Sequence, residues 1–291
     1  MSVKLENERL LVEIAELGAE VTRIYDKKKN QELLWDGNPK FWKRHSPILF
    51  PNVGKTYQNK VLISGKEYPA TSHGFARDNV FACEEKTEDH ATFLLTSSEE
   101  TKKVYPFDFE LYVSYKLSGK ELTSTWVVKN CGQETMCFTI GGHPAFRLVD
   151  GSNKKEDYKL KFPGKKEIIS SFLDLTTGTT VPRKHYAVKL QDEMCVLREE
   201  LFENDTLILD DYQVEEVWLC HKDGTPYVGV RCKGFPNFGI WSVKDSGFVC
   251  LEPWMGRCDE SGFSSEVSEK RYVNLVKSGE QFEKNYTIIV A

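Results

Sequence analysis

An all-β fold, a large antiparallel β-sandwich or barrel, is what this sequence predicts, and three observations predict it. Apolar and polar residues alternate at period two through much of the chain, long amphipathic helices are hard to find, and turn residues punctuate the runs at short intervals. At 291 residues the chain is ample for a sizeable core. Gly, Ser and Pro nowhere gather into a linker and no fixed-period repeat is present, so residues 1–291 read as a single domain.

In chain order, the first expected strands span 10–14, 20–25, 80–84 and 91–96. The clearest follows: Phe109, Leu111, Val113, Tyr115 and Leu117 share one face, while Glu110, Ser114 and Lys116 share the other. After the turn Ser118-Gly119-Lys120, Leu122, Ser124, Trp126 and Val128 again line up on one side, which makes a hairpin. The turn Asn130-Cys131-Gly132-Gln133 then leads into FTIGGHPAFRL, residues 138–148. Further strands are expected at 214–221, 227–232, 238–243, 247–252 and 286–290.

Composition excludes several classes of partner. A net charge of −5 and a pI near 5.8 leave no basic stripe for nucleic acid, and the run Lys27-Lys28-Lys29 reads as a solvated turn. Eight cysteines without a C-x-x-C pair, in a chain too large to need staples, predict buried free thiols. Glu6, Glu8, Glu13 and Glu16 interrupt the place where a signal peptide needs an apolar stretch, and no segment approaches the ~20 apolar residues of a membrane span. The expectation is a cytoplasmic protein with no membrane partner, in which Asn204-Asp205-Thr206 and Asn285-Tyr286-Thr287 carry no glycan.

Asn52-Val53-Gly54-Lys55-Thr56 ends like a phosphate loop but lacks the glycine five residues before Gly54, where Leu49 stands, and no helix is promised after it. Three other stretches share a distinct grammar: residues 72–78 (SHGFARD), 141–146 (GGHPAF) and 250–256 (CLEPWMG). Each sets an ionisable side chain beside Gly or Pro at a strand end, among aromatics. Glycine there admits a ligand close to the backbone, proline ends the ladder, and aromatic faces stack on the apolar side of a sugar ring. Glu252 follows Phe248-Val249-Cys250-Leu251, and a carboxylate at the end of a buried strand needs a partner or a purpose. His45, His90, His185 and His221 stand outside this grammar and read as ordinary hydrogen-bonded histidines.

HGFAR, GGHPAF and LEPW, in this order, resemble the aldose 1-epimerase (mutarotase) family, with the hexose-6-phosphate epimerases as cousins. The approach at 42–51, where Arg44 precedes Pro47-x-x-x-Pro51, is similar to the family's first block, so the likeness spans about residues 35–260. The resemblance implies a galactose-mutarotase-like β-supersandwich and a small-molecule sugar as partner. It implies Glu252 as general base, His143 as general acid, His73 beside the sugar's hydroxyls or ring oxygen, Arg44 and Arg77 as substrate-side arginines, and Asp205 on sugar hydroxyls. Lys43 is the alternative register for Arg44.

Anomer exchange removes a proton from the C1 hydroxyl and delivers one to the ring oxygen, so an acid and a base on opposite sides suffice and no metal, nucleotide or other cofactor is required. With pKa values of about 6.5 and 4.3, His143 is expected protonated and Glu252 ionised, unless burial narrows the gap. A glycosidase is the rival, pairing Glu252 with Asp205 or Asp259 but leaving two motif histidines unexplained. A silent sugar-binding protein is another, and a metal site from His73, His143 and a carboxylate a third, disfavoured because its ligands lack local spacing. Free hexoses are expected to be preferred over 6-phosphates, because Asp78, Asn79 and Val80 follow HGFAR where a dense basic cluster would be needed.

Overall fold

The computed structural model describes residues 2–149 and 154–291. Two large antiparallel sheets enclose the core. The nine-stranded sheet runs from Ala82–Lys86 through His90–Thr96, Phe109–Ser118, Glu121–Asn130, Gln281–Val290, Pro226–Arg231, Glu216–His221 and Tyr158–Lys161 to Met194–Val196. The eight-stranded sheet runs from Ile48–Leu49 through Ile140–Gly142, Phe248–Met255, Asn237–Trp241, Leu207–Leu209 and Glu167–Asp174 to Thr179–Lys189, and Ala145–Arg147 also pairs with Phe248–Met255. A four-stranded sheet of Ser2–Glu6, Leu10–Ala15, Val21–Asp26 and Gln31–Glu32 precedes them. The one α-helix among the described residues is Glu99–Lys102, capped by Ser98. No helix among them is long and apolar enough to cross a membrane.

The hairpin forms as the alternation dictates. Ser118 pairs with Glu121 across a two-residue turn, and Phe109 to Leu117 and Leu122 to Val128 bury the expected faces. The strand expected at 80–84 is displaced to Ala82–Lys86, because Phe81 drops into the core while Val80 stays exposed and bridges Leu17. Several strands were not expected from the sequence, among them Tyr158–Lys161, Met194–Val196 and Leu207–Leu209 of the two main sheets. Ser2–Glu6 buries only Val3 and Leu5. Glu167–Asp174 and Thr179–Lys189 form an edge hairpin whose outer strand is largely solvated from Pro182 to Lys184 and so has no apolar period to read.

Phe248–Met255 lies between two neighbours in its sheet and is buried along nearly its whole length. Val249 and Leu251 point into the main core, whereas Phe248, Cys250 and Trp254 belong to smaller clusters on the opposite face, with Trp35 and Trp42 packed against Phe248. Glu252 alternates onto that second face, which carries the candidate site.

Candidate active site

Three of the stretches singled out in the sequence become adjacent strands of one sheet. Ile48–Leu49 pairs with Ile140–Gly142, which pairs with Phe248–Met255. Gly141 faces Trp254 and Ala145 faces Cys250 in a single register, so His143 falls directly opposite Glu252. Pro144 has no N–H and interrupts the ladder for one step, yet its carbonyl still accepts the Leu251 N–H at 3.1 Å, while the His143 N–H goes to the Pro47 carbonyl. Directly opposed residues on one face bring their side chains into contact. His143 Nε2 accordingly lies 3.2 Å from Glu252 Oε2.

The glycines here serve neighbouring side chains, which corrects the expectation that they admit a ligand. A Cβ on Gly141 would meet the Trp254 ring at 2.5 Å, and one on Gly142 would meet the Tyr286 hydroxyl at 2.8 Å. Gly239, on the other flank, would place a Cβ 2.3 Å from Trp254 Cζ2, so the indole lies across two bare backbones. In HGFAR, Gly74 has φ +67° and passes so close to the Phe50 carbonyl that a Cβ would be 2.2 Å from it.

A cleft of about 380 Å³ opens over this face, lined among others by His73, Arg77, His143, Asp205 and Glu252. His73 and Gly54 exchange two hydrogen bonds: the His73 N–H donates to the Gly54 carbonyl at 2.9 Å, and the Gly54 N–H to His73 Nδ1 at 3.1 Å. The neutral ring therefore keeps its proton on Nε2. Its ring stands edge-on to His143, 5.5 Å between centroids. Trp42 stacks on His143 at 4.8 Å and Trp241 meets it edge-on at 5.6 Å.

Arg77 lines the cleft, with Nη2 donating to the Ser72 carbonyl at 2.7 Å. Arg44 is not part of the cleft wall; it pairs with Asp78 at 2.8 Å and reaches the Arg77 carbonyl, bracing the loop from behind. Lys43 is exposed and also outside the wall. Asp205 sits exposed at the mouth in a left-handed conformation, φ 64°, its carboxylate accepting from the Thr206 hydroxyl. Trp42, Lys55 and Trp241 also line the cleft. Lys55 belongs to the motif dismissed as a false phosphate loop, and Trp42 and Trp241 carry no local signal that separates them from core tryptophans.

Burial dominates the electrostatics. His143 is pushed down to about 3, mainly by desolvation, with Arg77 and Arg44 adding repulsion. Desolvation lifts Glu252 well above its usual value, the Asp205 charge raises it further, and the Trp254 indole opposes the shift. Burial also pushes His73 far down, assisted by His143, Arg77 and Arg44. Burial thus works against the expected pairing of a protonated His143 with an ionised Glu252, because it favours the neutral form of each. His143 Nδ1 and both Glu252 oxygens are buried without an aligned hydrogen bond, and Trp254 Nε1 is in the same condition.

Asp259 is not in the cleft. Lys270 holds it at 2.7 Å and the Tyr57 N–H donates to its other oxygen, which removes it as a second hydrolytic carboxylate.

The aldose 1-epimerase family profile matches residues 1–259. Protein LacX of Lactococcus lactis subsp. lactis, in its plasmid form, is 32% identical over an alignment covering 100% of this chain and 99% of that protein. A galactose mutarotase related enzyme from Lactobacillus acidophilus superposes with a TM-score of 0.94 at 32% identity, covering 100% of this chain and 97% of the other. A galactose mutarotase-like protein from Lactobacillus casei gives 0.91 at 27% identity, with both chains covered completely. The mostly antiparallel architecture is shared with these proteins.

Proposed function

The chain belongs to the aldose 1-epimerase family, and from that premise we propose that it interconverts the α and β anomers of a free aldohexose by cofactor-independent ring opening and closure. The observation that carries the proposal is the His143–Glu252 pair: an acid and a base in contact, buried, and lacking aligned hydrogen bonds on the atoms that would meet a sugar. The two oxygens that exchange protons, the C1 hydroxyl and the ring oxygen, are bonded to the same carbon. A side-by-side acid and base can therefore serve both, and opposite faces are unnecessary.

When a sugar binds, its hydroxyls supply the hydrogen bonds that stabilise the charged arrangement, and Glu252 takes the C1 hydroxyl proton while His143 delivers one to the ring oxygen. The aldehyde then faces a neutral pair, the arrangement that burial favours. Rotation about C1–C2 presents the other face of the aldehyde, and closure runs the transfers backwards. Each positioned proton-transfer group contributes about 10²–10⁴-fold. His73 Nε2–H, Arg77 and Asp205 are the hydroxyl-binding groups in this reading, and the tryptophan faces take the apolar side of the ring. Arg44 acts through the Arg77 loop. We further propose one catalytic domain over residues 1–291, working in the cytoplasm, where eight free thiols persist.

Free hexoses are the proposed substrates, because Arg44 is committed to Asp78 and Arg77 to the Ser72 carbonyl. Saturation-transfer NMR between anomers, with kcat/KM for glucose, galactose and glucose 6-phosphate side by side, tests this. Accelerated exchange of the free sugars supports the proposal. A preference for the phosphate that collapses in Arg77→Ala overturns the substrate assignment, and binding without turnover makes the protein a silent sugar binder.

A further inference from the structure

The face that carries the acid–base pair holds a third donor that anomer exchange does not use. Cys250 lies two residues before Glu252 on the same strand, so both side chains emerge on the same side, and Ala145, opposite Cys250, is too small to come between them and His143. One ligand atom each from His143, Cys250 and Glu252 lies within 4.8 Å of the others, and all three residues are buried. The His143–Glu252 contact of 3.2 Å already matches the separation of two donors on one tetrahedral zinc, given metal–ligand bonds of about 2.0–2.3 Å. Independently of that cluster, both Glu252 oxygens are buried without an aligned partner, and the cleft gives a path in from solvent.

We propose that His143, Cys250 and Glu252 form an inhibitory site for a thiophilic divalent cation, zinc being the best match. An imidazole, a thiolate and a carboxylate are donors that zinc accepts, and three protein ligands leave its fourth position open to water or a sugar hydroxyl. Two anionic ligands would neutralise the dication where an unpaired charge is costly. Burial favours the neutral form of both anionic ligands, so Cys250 binds as thiolate and Glu252 as carboxylate only as the metal displaces a proton from each to solvent. The metal occupies the lone pairs that transfer protons in the reaction, so a zinc-loaded protein does not exchange anomers. The inhibitory consequence rests on the acid–base assignment above, whereas the binding itself does not.

The probe is cobalt(II) for ligation and zinc for inhibition, on a protein in which the exposed Cys83 and Cys131 are replaced by serine so that surface thiols do not contribute. Stoichiometric cobalt is expected to show tetrahedral ligand-field bands together with a thiolate-to-metal charge-transfer band. Cys250→Ala and Cys250→Ser should each remove the charge-transfer band and weaken zinc by at least about tenfold, the lower end of what even an outer partner of a metal ligand contributes. Zinc should abolish exchange in the chelator-stripped protein, with activity restored by chelation. The ligation readout needs no turnover, so it stands or falls separately from the epimerase assignment. Unchanged cobalt spectra in both Cys250 variants, absence of tight binding, or loss of activity on chelation would each overturn the proposal.

Discussion

Replacing Glu252 by glutamine leaves the shape of the site nearly unchanged and removes the carboxylate in contact with His143. Neither Glu252 oxygen makes an aligned hydrogen bond, and the strand is held by its backbone pairs to both neighbours, so nothing in the fold depends on the carboxyl. The loss is then chemical: one of the two positioned proton-transfer groups is gone, which costs about 10²–10⁴-fold in kcat/KM. That corresponds to about 3–5 kcal/mol of barrier. Stability should move the other way. Because the folded protein holds the Glu252 pKa well above its ordinary 4.5, the stabilisation linked to its protonated form is fully present below 4.5 and is lost as pH rises through the folded value. Glu252→Gln therefore matches the wild type in urea midpoint at pH 4 and exceeds it at pH 8. Anomer exchange followed by polarimetry, with urea melts at both pH values, measures the two effects together. Exchange at the wild-type rate would remove Glu252 from the chemistry, and a variant less stable at pH 8 would show that its carboxyl has a structural partner.

His143→Ala should lose exchange to a similar extent, whereas His90→Ala and His185→Ala, on strands away from the cleft, should keep most of it; equal losses at all three would point to folding damage. Histidine 143 also carries its own pH signature: with its pKa near 3 in the fold against 6.5 ordinarily, its linked stabilisation is present above 6.5 and lost as pH falls toward 3. A urea-midpoint series over that window should be flatter in His143→Asn than in the wild type, and identical slopes would contradict the burial argument. Gly239→Ala drives a methyl to 2.3 Å from Trp254, and overpacking of this kind costs about 1–3 kcal/mol in thermal or urea unfolding. Exchange should fall with it, because the displaced indole lines the same cleft as Glu252; an unaffected Tm would show that the ring moves freely.

The fold was legible wherever one face is dry and the other wet. Phe109–Ser118 and Glu121–Asn130 alternate cleanly because they lie inside the nine-stranded sheet with one side on the core. Thr179–Lys189 was illegible for the converse reason, since an edge strand with long exposed polar side chains has no inner face to mark it. Charge states were misread because they depend on depth. The ordinary pKa order of histidine and glutamate is a property of solvated groups, and His143 and Glu252 lie 6 % and 1 % exposed at the bottom of a cleft. Trp42 and Trp241 were missed as cleft residues because a tryptophan against a ligand and a tryptophan in a core look alike until the neighbours are known.

What joins the two central motifs is register, and that information was present in a form visible only once they are laid against each other. GGHPAF read forwards and CLEPWM read backwards are complementary position by position: Gly141 against Trp254, His143 against Glu252, Ala145 against Cys250. Gly141 leaves room where the opposite strand carries Trp254, and the imidazole stands where it carries the carboxyl. A slip of one residue would turn every one of these side chains to the other face, setting the Trp254 indole into the core and the Glu252 carboxyl against aliphatic neighbours. The glycines and proline that are poor strand formers at 141–144 are thus what a strand needs when its partner carries Trp254 and its next neighbour space must hold Tyr286. Local β-propensity is given up over four residues so that one pairing, and with it one acid–base contact, is far more favourable than its alternatives.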